Sequence, residues 1–148
     1  MCKVIFELKP YPELRDVPKP ILPIIFKSPI DETKTFETTA LIDSGADICT
    51  LPLEAQSVLG LNMVKLGAEK TKMGCACGRK DFYGYRYKLK VVVYDYKNRP
   101  IERLVWVLFG GPSTMPLIGR NLMDIFEKIN YDNVEKKGYF LGLREEEL

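Results

Sequence analysis

Tyr85 to Tyr94 runs through aromatic and β-branched residues, Lys97-Asn98-Arg99-Pro100 turns the chain, and Ile101 to Phe109 returns in the same character. Residues of this kind suit a pleated, half-buried surface, so two such stretches joined by a turn form a β-hairpin. Much of the remaining chain reads the same way. Lys3 to Leu8 is a short strand, followed by an irregular arm in which residues 1–20 hold four of the ten prolines. Ile21 to Lys27 is a strand whose Pro20 and Pro23 place it at an edge or an end. Pro29-Ile30-Asp31-Glu32 is a turn, and Lys34 to Ile42 then alternates into an apolar strand ending at Asp43. Met115 to Ile118 is a further short strand, and Tyr139 to Leu143 is a strand or hairpin before the acidic Glu145-Glu146-Glu147. Two stretches look helical. Pro52 to Leu59 has proline near its first turn and Gly60 as its stop. Asn121 to Ile129 carries Leu122, Ile125, Phe126 and Ile129 on one helical stripe. The expected class is all-β, a barrel-like domain with one or two short helices.

The 148 residues suffice for one domain with a sizeable core. Hydrophobic residues at 46% and charged residues at 28% make a globular composition. With 22 Lys+Arg against 20 Asp+Glu, a net charge of +2 gives no electrostatic case for nucleic acid or an anionic membrane. The complete absence of histidine removes His-based triads, His general bases and most zinc enzymes. Any catalysis must run on carboxylates, thiols, hydroxyls or lysines. Ile21 to Phe26 is interrupted by Pro23, and no apolar run approaches the ~20 residues of a membrane span. The N-terminus lacks the apolar core and cleavage site of a signal peptide, so a cytoplasmic location is expected, with Cys2, Cys49, Cys75 and Cys77 as reduced thiols. Cys75 and Cys77 lie closer than a zinc Cys-x2-Cys and have no second pair, so neither a metal nor a cofactor is expected. The same spacing makes a poor redox dithiol, because a disulfide between them would be strained.

The segment that carries chemistry is Thr39-Ala40-Leu41-Ile42-Asp43-Ser44-Gly45-Ala46-Asp47-Ile48-Cys49-Thr50. An apolar strand delivers a carboxylate into a tight Ser-Gly turn, where glycine lets backbone approach a neighbour closely. Taken alone, Asp-Ser-Gly is equally an Asx turn ending a strand. Further on, Pro116-Leu117-Ile118-Gly119-Arg120-Asn121-Leu122 runs an apolar strand through Gly-Arg towards a helix, and a glycine-bearing hairpin around Gly74 to Gly84 lies between the two. These three elements, in this order, resemble the retropepsin family of aspartic proteases, the retroviral protease type. The resemblance covers roughly residues 20–130 of one domain spanning 1–148, with extensions at both ends.

The resemblance implies a closed β-barrel or sandwich with a flap hairpin, and a role for each matching residue. Asp43 matches the catalytic aspartate, Ser44 the hydroxyl that braces the two active-site loops, and Gly45 the turn glycine, followed by Ala46. Asp47 and Arg120 match an ion pair within the subunit. Leu41, Thr50, Met115 and Leu117 fall where the family lines its side-chain pockets, and Gly74, Cys75, Ala76, Cys77 and Gly78 where the flap covers substrate. Core packing explains Leu41, Thr50, Met115 and Leu117 equally well. Peptide hydrolysis by this route needs two carboxylates sharing one proton, since like charges that close do not both ionise. Asp81, Asp95, Asp124 and Asp132 are not followed by Ser/Thr-Gly, so one chain holds half a site. The implied partner is a second copy, with the dyad on its twofold axis and a peptide or protein as substrate. The alternative is a retropepsin-like dimerisation or peptide-binding module with little turnover. Three features depart from the family pattern. The flap is bulkier and more charged, the extensions bear on the terminal strands that interleave in retroviral dimers, and Ser44 replaces the commoner threonine.

Overall fold

The structure, a computed structural model, describes residues 2–11, 14–73, 82–112 and 114–145. Among these, ten strands and two one-turn helices follow in chain order: β1 (Lys3–Tyr11), β2 (Leu14–Lys27), β3 (Thr35–Ile42), β4 (Cys49–Leu51), α1 (Ala55–Val58), β5 (Glu69–Met73), β6 (Phe82–Tyr94), β7 (Pro100–Phe109), β8 (Leu117–Ile118), α2 (Arg120–Met123), β9 (Phe126–Asp132) and β10 (Lys137–Leu143). The expected hairpin forms as β6–β7, in unbroken register from Tyr85 opposite Phe109 to Tyr94 opposite Pro100. Its turn is closed by Asp95, whose carboxylate accepts the N–H groups of Lys97 (2.9 Å) and Arg99 (2.8 Å) and the Arg99 Nε–H (2.7 Å). Asn98 takes the left-handed conformation there, with φ 61°.

The strand order is β5-β6-β7-β4-β8-β3-β2-β1-β10-β9, and β6 also pairs with β2. That extra pairing closes six strands into a barrel and removes their edges, leaving β5 outside one end of the ring and β1-β10-β9 outside the other. Strand alternation fills the ring with Phe26, Ala40, Leu51, Leu89, Val91, Val107, Phe109 and Ile118, all buried. Beyond β2 the core continues as an aromatic row. Phe140 stands 5.0 Å from Phe6 and is stacked 4.9 Å from Phe126, and Phe6 meets Tyr131 edge-on at 5.5 Å. Gly138 makes room for that row, because a β-carbon there would lie 2.1 Å from the Phe6 ring.

Three local expectations are corrected. The proline-rich arm is not irregular: β1 reaches Tyr11 and β2 begins at Leu14, with Leu8 opposite Pro20 and Pro10 opposite Pro18. β2 is not an edge either, since it bonds β3 on one side and both β1 and β6 on the other. Pro23 is tolerated because pairing with β1 ends at Ile21 and pairing with β6 starts at Ile25, leaving a gap on that side. Finally, the helix expected over Asn121 to Ile129 is only α2, and the chain then becomes β9. Its apolar stripe serves a strand because Phe126 pairs with Leu143 and Ile129 with Phe140. Tertiary pairing overrides the local 3.6-residue period.

Phe140 is 1% exposed at the centre of the aromatic row. Phe140→Ala should therefore cost about 3–5 kcal/mol, read as a lowered denaturation midpoint at unchanged slope.

Candidate active site

Asp43 is the first residue past β3, and the position of its backbone is fixed by a neighbour 70-odd residues away. β8 runs parallel to β3, with Leu41 opposite Leu117 and Ile42 opposite Ile118. The Leu41 N–H donates to the Pro116 carbonyl and the Asp43 N–H to the Ile118 carbonyl, each at 3.0 Å. The chain then turns sharply. Asp43 Oδ1 accepts the Gly45 N–H (2.9 Å), and its carbonyl accepts the Ala46 N–H (3.1 Å). A β-carbon on Gly45 would sit 3.1 Å from that same carboxylate oxygen, so any larger residue there would crowd the Asp43 side chain. Asp43 is half-buried, while Ser44 and Gly45 are exposed.

The loop is clamped from the other side by the Gly-Arg-Asn segment. Gly119 has ordinary extended dihedrals but passes so close that a β-carbon would lie 2.4 Å from the Ile48 carbonyl carbon. Backbone against backbone then brings the Arg120 N–H to the Ala46 carbonyl (2.8 Å) and the Asn121 N–H to the Asp47 carbonyl (3.1 Å). The Asn121 side chain completes the joint. Its Oδ1 accepts the Cys49 N–H (3.0 Å) and the Cys49 thiol (3.4 Å), and its Nδ2 donates to the Trp106 carbonyl on β7 (2.8 Å). Arg120 and Asp47 form the ion pair the resemblance implies. Their side chains are 57% and 79% exposed, so water screens the pair. Cys49 lies beneath the loop, and burial pushes its thiol up to about 11. A thiol so protonated and enclosed is no nucleophile.

Above the loop opens a cleft of about 560 Å³. Asp43, Gly45, Ala46 and Asp47 form one side of it, and Ile48, Thr50, Leu108 and Leu117 give it an apolar wall. Thr71 and Lys72 on β5 and Arg86 on β6 complete the lining. β5 and β6 pair antiparallel from Glu69 opposite Arg86 to Met73 opposite Phe82, which makes them the two legs of the hairpin expected as a flap. Arg86 packs its guanidinium 4.8 Å from the Trp106 ring and pairs with Glu69. Of the residues anticipated from sequence, Asp43, Gly45, Ala46, Asp47, Thr50 and Leu117 line the cleft. Leu41 and Met115 are half-buried and do not line it, and the Met115 carbonyl accepts the Thr50 hydroxyl at 2.7 Å. Gly74, Cys75, Ala76, Cys77 and Gly78 lie outside the described residues.

Sequence reading missed Ile48, Leu108, Thr71, Lys72 and Arg86, and gave Asn121 no role. Leu108 joins the cleft only because β4 pairs with β7, setting Thr50 opposite it, and no local pattern announces that. Asn121 had a signal, since it follows Gly-Arg in the same motif. Among the described residues no group of three His, Cys, Asp or Glu side chains is arranged to hold a metal ion. No helix among them is long and apolar enough to cross a membrane.

The two polar links in the clamp should differ in weight. Arg120→Met removes a screened pair and should cost under about 1 kcal/mol. Asn121→Ala strands a part-buried N–H and a carbonyl and should cost about 1–3 kcal/mol. Denaturant titrations of both variants test that order.

No protein-family model matches the chain, and no curated protein matches it by sequence. Among solved structures it is similar to a retropepsin-like aspartic protease from Rickettsia conorii, at 14% identity and a TM-score of 0.62, covering 93% of this chain and 89% of that one. An identity that low speaks for architecture alone, and the architecture agrees: closed barrel, few helices and outlying strands make this an all-β, retropepsin-like fold.

Proposed function

We propose that the protein is an aspartic endopeptidase acting as a homodimer, each copy contributing its Asp43 to a shared dyad. The observation that carries this is the position of Asp43: its carboxylate, braced by the Gly45 N–H, lines a cleft on a retropepsin-like barrel, where the other carboxylate of the lining, Asp47, is paired with Arg120. A single carboxylate can only take or give a proton. Two of them across a twofold axis can do both at once.

The chemistry follows from that pairing. One carboxylate is ionised and draws a proton from a water lying between them, while the protonated one donates to the carbonyl oxygen of the scissile bond. Water oxygen bonds to the carbonyl carbon and a tetrahedral diol forms. Collapse of the diol breaks the C–N bond, the departing nitrogen takes up a proton from the dyad, and the remaining hydroxyl proton restores the starting state. The Ser44 hydroxyls, exposed on the loops, brace one loop against its mate in this reading. The apolar wall of Ile48, Leu108 and Leu117 takes a substrate side chain, and the β5–β6 hairpin closes over the backbone to exclude water. Cys49 takes no part, being buried and protonated.

Asp43→Asn keeps the side-chain size and the bond from Gly45 while removing the ionisable group from both subunits together. Cleavage of a mixed peptide pool should fall by about 10²–10⁴-fold, with the denaturation midpoint preserved. Wild-type activity should be bell-shaped in pH, because the working form holds one proton across two carboxylates and is lost when that proton leaves or a second arrives. Equal cleavage by wild type and variant, or no wild-type turnover at any pH, defeats the enzyme reading; the latter, with peptide binding intact in Asp43→Asn, fits a binding module instead.

A further inference from the structure

A shared dyad needs a surface on which two copies meet, and the terminal strands offer one that differs from an interleaved arrangement. β10 is already paired within its own chain, with β1 on one side and β9 on the other. Among the described residues, β9 pairs with β10 alone and forms the outer edge of the sheet. A seven-residue edge left open is a template for another strand. On its inner face Ile129 is 37% and Tyr131 54% exposed where the aromatic row ends, with the exposed Glu127 beside them.

We propose that two copies join edge to edge through β9, antiparallel, about a twofold axis passing at Asn130. This rests on the homodimer reading above and assigns it an interface. The residues on β9 select the register. In an antiparallel pair, opposed residues lie on one face, so an axis that continues the sheet must pass at a residue rather than between two. Centred on Asn130, the strand sets Lys128 opposite the partner's Asp132, twice by symmetry, and Ile129 opposite the partner's Tyr131. Centred on Lys128 or on Asp132, it sets like charges face to face. Centred on Ile129 or Tyr131, it opposes no opposite charges within the strand. Self-complementarity therefore exists in one register.

The same strand is coupled to the catalytic loop. α2 bonds the Ala46 and Asp47 carbonyls through the N–H groups of Arg120 and Asn121, and the chain passes from α2 into β9 within two residues. A surface fixed on β9 is thereby fixed relative to Asp43. One limit applies to the choice of variants. Asp132 Oδ1 also accepts the N–H groups of Val134 and Glu135, each at 3.0 Å, closing the β9–β10 turn.

Symmetric cross-linking tests the register directly. In Asn130→Cys the two introduced thiols oppose each other with β-carbons about 4.5–5.5 Å apart, near disulfide reach. Mild oxidation of the full chain should give a covalent dimer whose linked peptides both carry position 130, while Lys128→Cys gives none through position 128. Lys128→Glu should weaken the dimer about tenfold in sedimentation, and Asp132→Asn should weaken it less while sparing the turn. A dimer that persists unaltered in Lys128→Glu and does not cross-link through position 130 overturns the β9 edge and leaves the dyad standing. A chain monomeric at all concentrations overturns both.

Discussion

Gly119 passing Ile48 backbone to backbone is the contact on which the Asp43 loop depends. Any side chain at 119 would separate the two segments, and every other link in the clamp needs them touching. Only at that range do the Arg120 and Asn121 N–H groups reach loop carbonyls, and only then can the Asn121 amide serve Cys49 beneath the loop. Hydrogen bonds of this kind are individually modest, but each satisfies a group that would otherwise be stranded near the barrel wall. The same amide reaches across to the Trp106 carbonyl, and the Trp106 ring in turn packs against Arg86 of the cleft. Loop, wall and hairpin are referred to one anchor, so the cleft keeps its shape through backbone geometry rather than through surface charge.

The barrel supplies the second half of that rigidity. Closure through β2 and β6 gives each of its six strands two neighbours, and the apolar interior locks the register, because a slip of one residue would turn Phe26, Val91 and Phe109 outward. β3 and β8, which carry the loop and its clamp, are both members of the ring. β5 is not. It is paired with β6 alone among the described residues, and its Glu69, Lys70 and Lys72 are exposed. Strands with few buried apolar contacts open at lower free energy than the core.

How much of this was legible in the sequence depended on whether the signal was local. The β6–β7 hairpin was readable because its residues and its turn lie within one stretch. Asp43, Gly45 and Gly119 were readable because tight turns and close approaches demand particular residues. Leu122 to Ile129 misled because its four apolar positions fit a helix and a short strand alike, and the decision was made by pairing with β10, outside the stretch itself. Pro23 misled for a related reason. A proline marks a missing donor, and a missing donor is as harmless in the gap between two successive partners as on an open edge. Leu108 and Arg86 could not be found at all, since their place in the cleft comes from strand pairing.

The prolines and the edge strand lead to the same physical point. Proline content does not decide where this sheet ends. β2 carries Pro23 inside the fold because its partners change there, whereas β9, with a full set of backbone donors and acceptors and no proline, stands outermost at one end of the sheet. Monomeric β-proteins usually protect an outer strand with proline, inward-pointing charge, a bulge or a covering loop. β9 carries Glu127, Ile129 and Tyr131 on its inner face and Lys128 and Asp132, one charge of each sign flanking Asn130, on the other. That pattern opposes like charges in two registers and pairs opposite ones in a single register, which is what the proposed dimer asks of an outer strand.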